Sequence, residues 1–508
     1  MSDKRRQRRK SRKVKVDFAE LETIVQASSQ RTLTVEEQKK LQDGHQLLAS
    51  YILPVELNNE SQKAVLDEVE RENGHAKEKR PGHGRRARSA FSAAKVVAVP
   101  HADLKPGDPC PCGCGYKVYR LTRPGHFRHF VGQAPILLIL YEMEQLRCNA
   151  CNSIFTAALP EGVGPNAYDA TAVSQVAFSR YGMGLPFYRQ AQQFELLGTP
   201  IAASTQYEIV AEAARLLEPV FGHLTTLAAS GKVGYFDDTG MKILKFVREP
   251  GDDRTGIHTT GVIAEHQDHR IALFFTGREH AGENKASLLR QRAPDLPAMI
   301  AMSDALSSNF KEECEEEVIA CCLAHGRRNF VKIITNFPED CRKVLTAIGT
   351  IYHNEKLSKE AGHTPEQRLN YHQQNSRPVM DELKAWADDQ IENLKTEDNS
   401  YLGKAIQYLR KHWTGLTQFL YQVGAPLDNN QVERALKKVV LHRKNSLFYR
   451  TAKGARTGDI YMSLIQTCQL NNADPLDYLT TLQRNQLAVK ASPGDWMPWA
   501  YKLALQPA

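Results

Sequence analysis

Three acidic residues stand where they could do chemistry together. Asp237 lies in the alternating segment Tyr235-Phe-Asp-Asp-Thr239, Asp304 follows an apolar stretch in Met302-Ser-Asp-Ala305, and Glu433 opens a helical pattern in Asp428-Asn-Asn-Gln-Val-Glu-Arg434. Carboxylates drawn together cannot all stay ionised cheaply without a cation, and two Mg ions (or Mn) ~4 Å apart would neutralise them. Such a pair activates a water or a 3′-hydroxyl and stabilises the leaving oxygen of an in-line phosphodiester displacement. The chemistry implied is phosphoryl transfer on nucleic acid. Each acid also has a plainer reading. An Asp after a strand is a common turn residue, and Asn430-Gln-Val-Glu433 is a capping-box pattern, with Asn430 as N-cap and Glu433 at the third helical position. Asp238 competes with Asp237, but alternation places Asp237 on the side of Val233 and Tyr235 and favours it.

A second constellation is made of cysteine. Of ten cysteines, five (Cys110, Cys112, Cys114, Cys148 and Cys151) lie within 42 residues. Two tight Cys turns supply the four soft ligands of one tetrahedral structural Zn, with free buried thiols as the ordinary alternative. Four of the five would bind; Cys110 and Cys114 have the more usual spacing and Cys112 is the spare. An iron centre uses the same ligands. Cys322-Leu-Ala-His325 offers only two ligands and reads as a packing and hydrogen-bonding feature.

Basic side chains crowd the regions around the acids: Arg327 and Arg328, then Arg434, Lys437, Lys438, Arg443, Lys444, Arg450, Lys453 and Arg456, interleaved with Phe448 and Tyr449. Positive charge beside an acidic site suits a DNA track, against the alternative of a solvated charged face. The first 16 residues hold nine Lys or Arg and one acid, so this arm carries the whole formal charge of +8 of the 508-residue chain. Such an arm suits phosphate contacts; a solubilising tail is the plainer alternative.

The elements that must position these groups follow from periodicity. Strand signals start at Lys232, with Val233, Tyr235 and Asp237 alternating, then Met241 to Val247, then the neighbouring pair Ile257–Glu265 and Arg270–Gly277. A helix at Lys285–Arg292, an apolar strand Ala298–Met302, a short apolar run Val318–Leu323 and a helix from about His325 come next. Three strands, a helix, a strand, then alternating helix and strand is the order of a ribonuclease H-like sheet. The expected architecture is therefore multidomain α/β: a ribonuclease H-like catalytic core with a helical insertion, preceded by a small zinc-binding module and helical DNA-binding segments.

The expected boundaries are a basic arm (1–16), an N-terminal helical segment (17–72), a basic Gly-, His- and Arg-rich linker (73–99) and the zinc-binding module (100–160). A helical, helix-turn-helix-like segment follows (165–228), in which Leu197-Gly-Thr-Pro200 separates two short helices. Next come the first part of the core (230–339), the helical insertion (340–422), the last part of the core (423–470) and a C-terminal tail (471–508). Hydrophobic residues make up 42% and charged residues 24%, which excludes a wholly disordered chain. The longest apolar run, Ile136 to Tyr141, is far short of the ~18 residues of a membrane span, so a soluble intracellular protein with no membrane partner is expected.

Taken together, these stretches resemble the transposases of bacterial insertion sequence 66, a DDE-type family. The resemblance is carried by Pro100 through Cys151, Leu185-Pro-Phe-Tyr-Arg-Gln190, Asp237-Asp-Thr239, Ser303-Asp304 and Cys322-Leu-Ala-His-Gly-Arg-Arg-Asn-Phe330. It continues through Asp428-Asn-Asn-Gln-Val-Glu-Arg-Ala435, Arg443-Lys-Asn-Ser-Leu-Phe448 and Asn472-Ala-Asp-Pro475 before Tyr478-Leu479. The order is kept over roughly residues 75–485, and Asp428 to Phe448 is the most specific block. The family usually has Asp-Glu-Thr where this chain has Asp237-Asp-Thr239, and Cys-x-x-Cys where an extra residue intrudes here. The resemblance implies that Asp237, Asp304 and Glu433 form a metal-binding triad for cleavage and strand transfer at the ends of a mobile element. It further implies DNA (element ends and target) as partner, a homo-oligomer that brings two ends together, small companion proteins of the same element, and a bacterial cytoplasmic, nucleoid-associated location. The alternatives are a non-catalytic zinc-containing DNA-binding protein (a decayed transposase) and a ribonuclease H-like nuclease without strand transfer.

Overall fold

The structure, a computed structural model, describes residues 102–112, 114–120, 134–147, 154–164, 166–246, 254–306 and 317–506. The basic arm, the segment 17–72, the linker 73–99 and both Cys148 and Cys151 lie outside the described residues.

Alternation from Val233 onward gives a nine-residue strand, β1 (Val233–Met241). Two long β-branched and aromatic runs give β2 (Ile257–His266) and β3 (His269–Gly277), and the apolar runs further on give β4 (Met299–Ser303) and β5 (Glu317–Cys321). They form one five-stranded sheet in the order β3-β2-β1-β4-β5. The pairs β1–β2 and β2–β3 are antiparallel, whereas β1–β4 and β4–β5 are parallel. The molecule is thus mixed α/β around a mixed sheet, compatible with the core expected from the sequence. A short strand, Ile243–Lys245, pairs in parallel with Tyr449–Thr451.

Helices α1 (Ala170–Ala177), α2 (Phe187–Leu196) and α3 (Ala203–Ala229) precede the sheet. Gly198, at φ +72°, makes the break between α2 and α3 that the sequence predicts. The second helix of that pair is not short. It runs for 27 residues and buries Val210, Leu217, Val220, Phe221 and Leu224. This apolar stripe packs α3 against β2 and β3, against α4 (Ala281–Leu289), which starts four residues earlier than the sequence suggests, and against α11 (Ala452–Leu470). Between β5 and α11 lie α5 (Leu323–Val331), the insertion helices α6 (Pro338–Glu360), α7 (Pro365–Asn375), α8 (Arg377–Glu392) and α9 (Tyr401–Lys411), and then α10 (Asn430–Ser446).

The insertion is held by a buried charge cluster. Burial alone would raise the Glu355 carboxyl, but the His372 hydrogen bond, the Arg368 charge and contacts from Lys359 and Arg368 outweigh it and hold it at about 2. Tyr352 Oη donates to Asp428 Oδ2 at 3.0 Å, tying α6 to the loop that leads into α10.

Helix α11 closes one sheet edge by an unusual match of periods. Outward N–H groups of β3 recur every second residue, ~6.8 Å apart, and a helix face recurs every fourth, ~6 Å apart. Asn471 Oδ1, Thr467 Oγ1, Ser463 Oγ and Asp459 Oδ2 accept from the N–H groups of Arg270, Ala272, Phe274 and Thr276. Those donors would otherwise invite pairing with another chain. At the opposite edge, a short helix (Trp413–Leu416) sits on β5, where a Cβ on Gly415 would stand 2.5 Å from Cys321 Sγ.

This cap carries a pH signature. Burial pushes Asp459 up to about 7 despite hydrogen bonds from the Thr276 side chain and N–H. A carboxyl whose folded pKa exceeds its unfolded value stabilises the fold at low pH and loses that contribution as pH rises toward the folded value. Asp459→Asn, which keeps an acceptor for Thr276, is therefore expected to melt higher than wild type by an increment that grows between pH 5 and pH 8, checked by thermal denaturation at both. No helix among the described residues is long and apolar enough to cross a membrane.

Candidate active site

Sheet register sets the first two acids side by side. The parallel pair β1–β4 ends at Tyr235 opposite Met302, so two residues further on Asp237 and Asp304 leave the two strands at the same level. Burial is the largest influence on Asp237 and the Asp304 charge the next; the Asp238 N–H, donating to Asp237 Oδ1 at 2.8 Å, opposes them, while Asp238 and Glu433 add repulsion. The balance pushes the Asp237 carboxyl up to about 7.

Helix α10 delivers Glu433 to the same place and is pinned to β1 at both ends. Asn429 Nδ2 donates to the Phe236 carbonyl at 2.9 Å, and Gln431 Nε2 donates to Tyr235 Oη at 3.0 Å. Near the other end, Arg443 donates to Thr239 Oγ1 at 3.1 Å and to the Gly240 carbonyl. Between the pins, Val432 and Leu436 rest on Gly261, the residue opposite Asp237 in β2. A Cβ on Gly261 would stand 2.9 Å from Leu436 Cδ2 and 3.2 Å from Val432 Cγ2, so a side chain there lifts the helix. Gly261→Val is expected to cost about 1–3 kcal/mol in a denaturant titration. It is also expected to separate Glu433 from the aspartates, so that activity falls further than stability alone explains.

The capping box expected at Glu433 does not form. The N-cap is Asn429, not Asn430, and it makes no side-chain cap bond because its amide is committed to β1. Asn430 is the first helical residue, and its N–H is taken by Asp428 Oδ1 at 3.0 Å. Glu433 is thereby left to the site. Its Oε1 is buried without a hydrogen bond, 3.7 Å from His325 Nε2 and 3.7 Å from an Arg328 guanidinium nitrogen. Burial and the Arg328 charge lower the His325 pKa against the pull of Glu433 and Asp304. His325 thus lies beside the acids, which its Cys-x-x-His spacing did not reveal. Cys322 is buried, and its Sγ accepts the Asn429 N–H at 3.3 Å, a packing and hydrogen-bonding role as expected. Asp304 and Glu433 beside Asp237, with one Glu433 oxygen buried and unbonded, are hard oxygen donors of the kind that suit Mg or Mn.

The basic residues divide. Arg434, Lys437, Lys444, Arg450 and Lys453 are exposed along α10 and into α11, and Arg328 is exposed beside Glu433. Arg327 is half-buried. Arg443 is the pin described above, Lys438 donates to Gln469 and is half-buried, and Arg456 pairs with Glu218 at 2.8 Å over the Phe221 ring. Phe448 is exposed, but Tyr449 is buried against His442 and cannot meet a base. In the cysteine module, the sulfurs of Cys110, Cys112 and Cys114 all lie within 4.8 Å of one another, with Cys110 and Cys112 3.0 Å apart. Cys112 therefore stays with the other two rather than pointing away.

Comparisons with known proteins place the chain in a family. The family model described as "Transposase IS66 family" matches residues 166–457. Among curated relatives, the Sinorhizobium fredii protein "Uncharacterized protein y4jD" is 30% identical over 346 residues, 65% of this chain and 66% of the relative. A second, "Uncharacterized protein y4hP" of the same organism, is 26% identical over 397 residues, 71% of this chain and 67% of the relative. The chain thus spans about two thirds of the length of these relatives.

Proposed function

Because the chain belongs to the IS66 transposase family, we propose that it is a DDE-type transposase built on a ribonuclease H-like core. In this reading it binds the ends of its own mobile element, cuts there and joins the freed 3′ ends to target DNA. The observation that carries it is that Asp304, just after β4, and Glu433 of α10 both stand close enough to Asp237 of β1 for their charges to act on it. They would hold two Mg or Mn ions, which when bound activate the attacking water or 3′-hydroxyl and stabilise the leaving oxygen.

The chain's own groups do the rest. Asn429, Gln431 and Arg443 fix α10 on β1 and so hold the three acids in one geometry, which is what an in-line displacement needs from its protein. Arg328 and His325 stand beside Glu433, where a DNA phosphate would bring further negative charge. The exposed Arg434, Lys437, Lys444, Arg450 and Lys453 form a track for the DNA backbone. Four of the five residues Cys110, Cys112, Cys114, Cys148 and Cys151 supply the ligands of one structural Zn. A second copy of the chain brings the other DNA end, small companion proteins of the element assist, and the work is done on the bacterial nucleoid.

The test is a strand-transfer reaction with Mg on DNA carrying the element's terminal repeats. Wild type should give joined strands and Asp304→Asn none. Equal behaviour of the two proteins would leave only a non-catalytic DNA-binding role, and nicked but never joined DNA would leave a nuclease.

A further inference from the structure

Asp237 and Asp238 leave β1 on opposite faces of the sheet. Asp237 lies level with Gly261, which meets α10, whereas Asp238 lies level with Thr260, whose hydroxyl accepts from Asn284 of α4. His258 shares the parity of Thr260 in β2, and His280 immediately precedes α4. Two imidazoles and a carboxylate therefore meet behind the acidic site, and the proposed triad uses none of them. We propose that Asp238, His258 and His280 form a separate site for one divalent transition-metal ion of the zinc type.

The donor atoms of the three residues all lie within 4.8 Å of one another. His280 Nδ1 is 2.9 Å from Asp238 Oδ2 and His258 Nδ1 is 4.0 Å from Asp238 Oδ1, with the two rings 4.1 Å apart. A histidine–aspartate hydrogen bond accounts for His280 alone. It leaves His258 outside hydrogen-bond reach yet turned to the same carboxylate, an arrangement that a shared ion explains. Two imidazole nitrogens and one carboxylate are a zinc-type ligand set, softer than the all-oxygen set Mg prefers.

The surroundings are built for it. A Cβ on Gly256 would stand 2.7 Å from His258 Nε2, so glycine there gives the ring its room. The Ala281 N–H reaches Asp238 Oδ2 at 3.3 Å, and the His280 N–H donates to Glu283 Oε2 at 2.8 Å. Arg254 in turn holds Glu283 Oε1 at 2.7 Å. Contacts of this kind orient the groups that bind a metal. An ion here would clamp β1 to β2 and to the start of α4, one residue from Asp237.

This site is independent of strand transfer, and its test does not use that reaction. Full-length protein is stripped of metal and titrated with Co2+ and with Zn2+, as wild type, as Cys110→Ser/Cys148→Ser, and as that double variant carrying His258→Asn or His280→Gln. The expected result is one ion per chain retained by the cysteine variant, with visible Co2+ bands but no thiolate charge-transfer band, and lost when either histidine changes. Zn2+ should also raise the melting temperature of the cysteine variant and not of the histidine variants. Folding of each is checked by circular dichroism in the absence of metal. Equal ion counts and Co2+ spectra with and without the two histidines would overturn the proposal, as would a folded cysteine variant that binds no Co2+ or Zn2+.

Discussion

Asp237→Asn is expected to abolish strand transfer and at the same time to make the metal-free protein more stable. The loss of activity should be on the order of 10³-fold or more, the scale seen when one member of a catalytic unit is removed. The gain in stability follows from burial and from repulsion by Asp304, Asp238 and Glu433, which push the Asp237 carboxyl up to about 7. Its ordinary value is 3.8, so the folded state holds a proton that the unfolded state releases, and stability falls as pH rises from about 4 toward 7. Asparagine removes that dependence. Metal-free Asp237→Asn should therefore melt near wild type at pH 5 and above it at pH 8. Added Mg or Mn should raise the wild-type melting temperature, because a ligand bound only by the folded state stabilises it, and should have little effect on the variant. A residue of purely structural importance would behave in the opposite way, losing stability and activity together.

The second large effect is expected at the back of the sheet. Lys285 of α4 and Glu317, the first residue of β5, meet at 2.6 Å with both side chains almost wholly buried. Removing one member of such a pair leaves an uncompensated charge in the interior and typically costs 3–5 kcal/mol, whereas replacing both with apolar groups of similar volume is often neutral. Lys285→Met should lower stability by about that amount, and Lys285→Met/Glu317→Leu should recover most of it. Because this pair ties α4 to the strand beside β4, the single variant should also lose strand transfer at temperatures where it is still folded. Urea unfolding of the two variants side by side checks the first claim, and activity measured at low temperature checks the second.

The sheet was largely legible because its strands announce themselves by alternation and by long β-branched runs, as in Val233 to Met241 and Ile257 to His266. Asp237 and Asp304 could be singled out because each stands late in or just after such a run, and parallel register does the rest. The Asn430-Gln-Val-Glu433 pattern predicts a capping box, but the N-cap falls one residue earlier, at Asn429. The Asn429 side chain reaches across to the Phe236 carbonyl, a partner 193 residues away that no local pattern contains. The pattern predicts a helix from Lys285, and α4 starts at Ala281 for a related reason: Glu283 draws in the His280 N–H and begins the helix early. The hydroxyls of Ser463 and Thr467 that seal the β3 edge sit in a helix that reads as apolar, and their purpose appears only when the strand lies beside them. His258 and His280 belong to different elements, and only sheet parity for His258 and the start of α4 for His280 turn them toward Asp238.

The most direct measurement is anomalous diffraction at the manganese edge from crystals of the protein with Mn2+. The expected result is manganese bound by carboxylate oxygens of Asp237, Asp304 and Glu433 together, as one ion or two ~4 Å apart. Manganese bound elsewhere with these three carboxylates unligated, at a concentration that supports strand transfer, would contradict the assignment of the reaction to them.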